Sequence, residues 1–460
     1  MLVILGFLMV AAFMFLILTK RATPVVALIL VPVIFGLFAG AGLGIGDMIT
    51  DGIKSLAPTA ALLFFAIIFF GIMIDVGLFD PLVRGILRLV RNDPMKLVVG
   101  TAVLAMVVSL DGDGSTTFII VTSALLPLYL KLGVSPVILT VVAGLANGTM
   151  NIIPWGGPTV RAASALGISP SEVFVPMVPS LVAGLVIVLL FSVHLGLMER
   201  RRLGSLVFDQ EMVSVGGGGS DTARPARRTG GGAGGDADGG AGQFIDGLDP
   251  QRDTLRPKLL WFNAALTVAL LVVLVMDILP IPVLFMIAAS IALTVNFPKV
   301  KEQGEAIARH SASIVSVVAM VLAAAVLTGV FSGTGMVEAM AEWLLGVIPS
   351  SMGPFLAVIT GVLSIPLTFF MTNDAFYFGI LPVLTETAAQ YGIEPVEMAR
   401  ASITGQPVHL QSPLVPAILL LVTLAGVSLA DHHKKVLWRA TVVSLAMLAV
   451  GVLLGQIPMG

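Results

Sequence analysis

Long apolar stretches separated by short polar interruptions set the pattern of this chain. Runs at residues 2–18, 25–43, 59–74, 181–197, 259–276 and 436–454 are almost free of charge. Each approaches the roughly 20 residues that carry a helix across a bilayer. Two apolar–polar–apolar units stand apart from these runs. Residues 95–132 break at DGDGSTTF (111–118), and residues 353–388 break at MTNDAFYF (371–378). Their arms are short for independent spans, so each unit reads as a re-entrant hairpin whose tip stops near the membrane midplane. Non-helical backbone is tolerated at that depth only where it lines a cavity. A further helix is then interrupted in each half, at NGTMNIIPWGGP (147–158) within residues 135–165 and at TGQPVHLQSP (404–413) within residues 396–428.

These features recur in one order. GIMIDVGLFD (71–80) pairs with GVFSGTGMVE (329–338), LGVSP (132–136) with YGIEP (391–395), and the breaks pair likewise, all at offsets of 255 to 260 residues. The predicted fold is an all-α polytopic membrane protein built from two inverted repeats, residues 1–203 and 257–460. Each repeat contributes five transmembrane helices, a re-entrant hairpin and a broken helix. The Gly-rich, aperiodic stretch 204–256 between them reads as a disordered linker.

An odd number of crossings turns the second repeat over, and the basic residues agree. Cytoplasmic loops carry an excess of Lys and Arg. With the linker inside, 22 of the 25 Lys and Arg fall on the cytoplasmic side, Lys434, Lys435 and Arg439 among them. Lys54 lies outside, and Arg161 and Arg400 fall at membrane depth. Both termini then lie outside a cell membrane. His432 and His433, beside Lys434, read as part of a solvated cytoplasmic face. Asp75, near a helix end, reads equally as a cap or a site residue.

Composition narrows the function. Only 11% of residues are charged and the mean hydropathy is +1.03, against roughly 25% charged in a soluble domain. The absence of cysteine excludes disulfides, thiolate metal sites and cysteine nucleophiles. No HExxH-type helix motif of a membrane metalloprotease occurs, and a channel would draw its pore from symmetry around an axis. Interrupted segments at matching places in inverted halves point instead to a secondary transporter with its site at the midplane, and not to an enzyme.

The four breaks bring distinct chemistries to that site. Gly114, Ser115, Thr116, Asn147, Gly148, Thr149, Gly157 and Thr159 from the first half offer close backbone approach and neutral ligands. Thr372, Asn373, Thr404, Gly405, Gln406 and Ser412 do so from the second. Charges are more informative, because an ion in the hydrocarbon costs at least ~2.5 kcal/mol. Arg161 and Arg400 present forks that match carboxylates, or else serve as structural clamps. Asp111, Asp113 and Asp374 bind a metal cation, carry a proton, or cap the hairpin tips. His409 titrates near neutral pH when unperturbed.

The segments LDGDGSTTFIIVTSALLPLY (110–129), ANGTMNIIPWGGPTVRAA (146–163), TNDAFYFGILPVL (372–384) and TGQPVHLQSPLVPA (404–417) resemble the citrate–divalent-metal:proton symporters. That family is a branch of the ion-transporter superfamily that includes the dicarboxylate:sodium symporters. The resemblance runs over both apolar halves. It implies proton-coupled uptake of a citrate–metal complex by alternating access, in a homodimer with a static scaffold and a moving transport domain. It implies no permanently bound cofactor, the metal travelling with citrate as cargo and protons acting as coupling ion. In the dicarboxylate relatives each hairpin tip carries a Ser-Asn-Thr signature for carboxylate and sodium. Here Asp113, Gly114 and Ser115 stand at one tip and Thr372, Asn373 and Asp374 at the other. The extra acids favour a metal-bearing or protonated load, with a sodium- or proton-coupled di- or tricarboxylate symporter as the alternative.

Overall fold

Capping chemistry places the helix starts. Thr23 and Asp93 accept N–H bonds from Val26 and Met95 ahead of Pro24–Phe38 and Pro94–Val108. Ser135 and Glu394 precede Pro136–Met150 and Pro395–Ile403. In all four a proline at the first helical position brings a pre-set φ and no N–H to leave unpaired. The computed structural model describes residues 1–19, 21–90, 93–214, 252–276, 278–347 and 349–460. Among these the chain is helical, with no strand. Eight helices of the described residues are long and apolar enough to cross a membrane: Gly42–Asp75, Pro94–Asp111, Gly114–Lys131, Pro170–Leu203, Pro257–Leu274, Ser311–Gly333, Ser351–Phe370 and Leu429–Leu453. Large apolar side chains such as Leu30, Leu190 and Val268 face outward, an exterior suited to lipid.

Both halves run through one order of elements. The first has Leu2–Leu18, Pro24–Phe38, Ile45–Asp75, the amphipathic Asp80–Val90, and hairpin arms Pro94–Val108 and Gly114–Lys131. An interrupted helix, Pro136–Met150 with Gly157–Leu166, and the long Val178–Ser214 complete it. The second has Leu260–Val275, Ile281–Asn296, Ser311–Gly333, Met336–Val347, and arms Leu356–Phe370 and Leu381–Ala389. It closes with Pro395–Ile403, Gln406–His409, Pro416–Leu424 and Leu429–Leu453. Val300–Arg309 stands, at the same offset, where the first turns of the unbroken Ile45–Asp75 stand in the first half.

Ile45–Asp75 and Ser311–Gly333 form the most intimate helix pair. A methyl on Gly52 would lie 2.2 Å from the Ala325 carbonyl oxygen, and one on Gly329 would lie 2.2 Å from that of Met48. The two backbones touch directly, as small residues allow between helices in lipid.

The ends of the linker are more ordered than its composition suggested. Val178–Ser214 continues as helix beyond residue 203, while residues 215–251 lie outside the described residues. At the far end Arg252 donates Nε to the Asp75 carbonyl at 2.8 Å and Nη2 to that of Ile74 at 3.1 Å, and pairs with Asp80. Thr254 Oγ1 also bonds the Asp75 carbonyl, and Arg256 bonds that of Asn296. The reason is local. Ile45–Asp75 ends with carbonyls that no further turn can satisfy, and these side chains supply the donors. The Asp75 carboxylate itself takes Arg309 Nε at 3.0 Å and His310 Nε2 at 3.2 Å, so it holds an ion cluster at the helix end.

Substituting Gly52 or Gly329 by Val should force the backbones apart. A loss of about 1–3 kcal/mol or more is expected from overpacking, read as a lower Tm of purified protein. An unchanged Tm in both variants would show that the contact yields freely.

Candidate functional site

The two interrupted helices cross at their breaks. Gly148 presses on the second one, where an added Cβ would lie 3.1 Å from Pro407 Cα. The first hairpin tip seats against both. Asn147 Nδ2 donates to Ser109 Oγ at 2.9 Å, and an added Cβ on Gly114 would lie 3.1 Å from Asn147 Oδ1 and 3.2 Å from Ala417 Cβ. Trp155, in the first break, donates Nε1 to the Leu110 carbonyl at 2.7 Å and packs on Phe70 and Phe285. The acids of this tip serve its turn. Asp113 accepts from Ser115 N, Thr116 N and Thr116 Oγ1, while Asp111 Oδ1 accepts from Asp113 N at 2.9 Å.

The second tip is tied to the other half by charge. Arg161 Nε meets Asp374 Oδ1 at 2.5 Å across 213 residues of sequence, and Arg161 Nη1 donates to the Gly157 carbonyl at 3.0 Å. Nη2 of Arg161 makes no hydrogen bond among the described residues, which leaves one edge of the fork open. Beside this pair lies an amide cluster. Gln406, fully buried, exchanges bonds with Asn373 (Nε2 to Oδ1 3.2 Å, Nδ2 to Oε1 3.4 Å), receives Asn151 Nδ2 at 3.5 Å and donates to Tyr377 OH at 2.9 Å. Neutral amides that swivel can bind either carboxylate oxygens or a metal-bound water.

The remaining candidates have local tasks. Thr149, Thr159 and Thr404 donate to the carbonyls of Leu145, Ile152 and Ala401. Thr372 Oγ1 accepts from Ala375 N. His409 Nδ1 donates to the Thr368 carbonyl at 2.6 Å, and Ser412 Oγ to that of Phe369 at 2.6 Å. Gly405 packs on Ser364. Arg400 clasps the Glu172 carbonyl with Nε at 3.2 Å and Nη2 at 2.9 Å, a second link between the halves. Among the described residues no three His, Asp or Glu side chains gather as a metal cage.

Sequence reasoning passed over Asn151, Tyr377 and Trp155, although each stands inside a break it had marked. It also misplaced one basic side chain. His432 is fully buried, not solvated: its Nε2 lies 3.0 Å from Gln411 Oε1 and its Nδ1 3.0 Å from Thr140 Oγ1. Gln411 in turn donates to the Gly144 and Pro407 carbonyls, so the orphan acceptors of the crossing draw the histidine inward. Arg439, grouped above with the cytoplasmic bases, is buried along Leu429–Leu453.

A cavity of about 590 Å³ lies between Ile45–Asp75, Ser311–Gly333, the end of Gly157–Leu166 and the second hairpin. Ser164, one turn beyond Arg161, and Thr385 line it, and both hydroxyls are buried without a partner. Asp47, Asp51 and Glu386 make its wall acidic.

Comparison with known proteins agrees with this architecture. A Bacillus subtilis (strain 168) protein named "Citrate transporter" is 47% identical over 458 residues, covering 99% of this chain and 100% of its own. A second from that organism, "Mg(2+)/citrate complex secondary transporter", is 47% identical with 99% of each chain covered. The crystal structure of the Alcanivorax borkumensis YdaH transporter shares the fold, with a TM-score of 0.57 at 12% identity over 90% of this chain and 88% of that one. The sequence profile described as "Citrate transporter" matches residues 13–405, and with relatives this similar over its whole length the chain belongs to the citrate transporter family of membrane transporters.

Proposed function

We propose that this chain imports citrate as its complex with a divalent metal ion, coupled to protons, by alternating access across a cell membrane. The Arg161–Asp374 pair carries the reading. It joins the interrupted helix of one half to the hairpin tip of the other and keeps one edge of the guanidinium open. A citrate carboxylate that bridges Nε and Nη2 bidentately displaces Asp374 from Nε. The released carboxylate is then costly in a buried site unless it faces the incoming metal ion or takes up a proton. Loading of citrate and loading of metal or proton thereby complete one another. Asn151, Asn373 and Gln406 orient the remaining oxygens.

The names of the two relatives support the substrate, since the identity runs through both halves. Physical chemistry supports the complex. A divalent ion bound to the citrate trianion leaves one net negative charge, and each unit charge moved across 100 mV is worth about 2.3 kcal/mol. Co-transported protons turn the inward step electropositive. Citrate supplies hard oxygen ligands itself, so the protein need add only Asp374.

Alternating access needs two bodies. Ile45–Asp75 with Ser311–Gly333 makes the scaffold, the hairpins and interrupted helices move, and the cavity lies along the seam between them. The halves are inverted, the linker lies inside with both termini outside, and a homodimer steadies the scaffold. The basic-residue distribution and the matched order of elements support this disposition.

Arg161→Ala should weaken binding of the magnesium–citrate complex by about 3 kcal/mol, roughly a hundredfold, in protein that still folds. Arg161→Lys should rescue poorly, because an ammonium offers a point charge and no planar fork. Isothermal titration of purified variants checks both, and parental affinity in folded Arg161→Ala would refute the carboxylate site.

Asp374→Asn should uncouple the cycle. Counterflow of labelled citrate in proteoliposomes is expected to persist, while uptake driven by an inward proton gradient or dependent on magnesium is lost. Full gradient-driven uptake by this variant would remove Asp374 from coupling.

Thiol labelling of single cysteines introduced into the cysteine-free chain should place residues 215–251 inside and residues 335–353 outside. Finding both on one side of the membrane would break the inverted arrangement.

A further inference from the structure

Outside the transport region one cation sits in the apolar shell without a counter-ion. Arg439 lies about 15 Å along Leu429–Leu453, at 1.5 Å per residue, and is only 6% exposed. Its Nη1 turns back to the Lys435 carbonyl one turn earlier, and its Nε is buried with no hydrogen-bond partner. Among the described residues no carboxylate comes within ion-pair distance of it. The only acid pair nearby in sequence joins Asp431 to Lys434. Lys435, on the same face as Arg439, likewise makes no ion pair among the described residues.

Aromatic rings frame this charge. The guanidinium carbon lies 4.2 Å from the Trp438 ring centre and 5.7 Å from that of Phe191 on Val178–Ser214, and the two rings meet edge to face at 5.3 Å. Trp438 is half exposed, and Leu190, Val186, Val442 and Leu445 continue the outward apolar surface on both helices. A cation held this way is favoured by the ring faces, yet it still lacks an anion. The surface around it is built for hydrocarbon.

We propose that the outer surface where Val178–Ser214 and Leu429–Leu453 meet binds an anionic phospholipid. Its phosphate lies between Arg439 and Lys435, and its acyl chain runs along Trp438 and Leu190. Basic pockets between membrane helices bind acidic headgroups in this way, and an aromatic ring belongs at the depth where headgroup meets chain. The direction of Arg439, back toward the start of its helix, is that of a long cation reaching for the interface.

Native mass spectrometry and thermal unfolding of the detergent-purified full chain, titrated with phosphatidylglycerol or phosphatidylcholine, test the proposal. Phosphatidylglycerol should bind and raise Tm, and phosphatidylcholine should do neither. Glycerol 1-phosphate, the free headgroup, should have no effect at the same concentrations. Arg439→Gln and Lys435→Gln should each lose about fivefold in phosphatidylglycerol affinity, the worth of one base at an acidic membrane surface. Lys434→Gln should behave as the parent. Should Arg439→Gln fail to fold, Lys435→Gln and Trp438→Leu decide the question. Parental affinity in the folded variants, equal binding of phosphatidylcholine, or an equal response to glycerol 1-phosphate would each overturn the site.

Discussion

A helix that stops inside a bilayer leaves carbonyl and amide groups where no water reaches them, and in hydrocarbon each unpaired group costs several kcal/mol. Four apolar segments of this chain are interrupted at polar residues, and the surrounding side chains answer the carbonyls left there. Thr159 bonds the Ile152 carbonyl, His409 that of Thr368 and Ser412 that of Phe369. Trp155 takes the Leu110 carbonyl, while Gln411 takes those of Gly144 and Pro407. Most of the polar residues in the breaks are consumed by this repair. It holds the unwound backbone open at a fixed shape, which a rigid recognition site requires.

What remains after the repair is the chemistry available for transport. Among the described residues Arg161 keeps Nη2 free, and the amides of Asn151, Asn373 and Gln406 bond only to one another and to Tyr377. These groups lose little when a ligand replaces their mutual contacts. The Arg161–Asp374 pair differs, because separating it strands two charges in a low-dielectric site. In the proposed cycle that penalty is the coupling device, since citrate satisfies one partner and metal or proton the other. The pair spans the two halves, so its state is sensed by both.

Different forces hold the parts around the site. Ile45–Asp75 and Ser311–Gly333 meet backbone to backbone at Gly52 and Gly329, a contact with little room to slide. The hairpins and interrupted helices are joined across the breaks by side-chain bonds together with close glycine contacts at Gly148 and Gly405. The end of Ile45–Asp75 is fastened by Arg252, Thr254, Arg309 and His310. This clasp brings residues 252–256 back onto the first half.

The apolar helices and their breaks were legible in the sequence, because hydropathy and helix-stopping residues act locally, but span lengths were not: the hairpin arms Pro94–Asp111, Gly114–Lys131 and Ser351–Phe370 are long enough to cross, while Pro24–Phe38 is shorter. Residue cost was legible too: Arg161 and Asp374 stood out as charges expensive to leave in lipid. Their partners were not. Arg161 finds Asp374 213 residues away, Arg400 turns to a backbone carbonyl of Glu172, and Asp113 caps its own helix. His432 looked like part of a charged surface beside Lys434, yet the crossing of the interrupted helices offers Gln411 and Thr140 and buries it. Burial cost belongs to a residue and is written in the chain. Satisfaction belongs to a pair, and only the packing of helices distant in sequence chooses it.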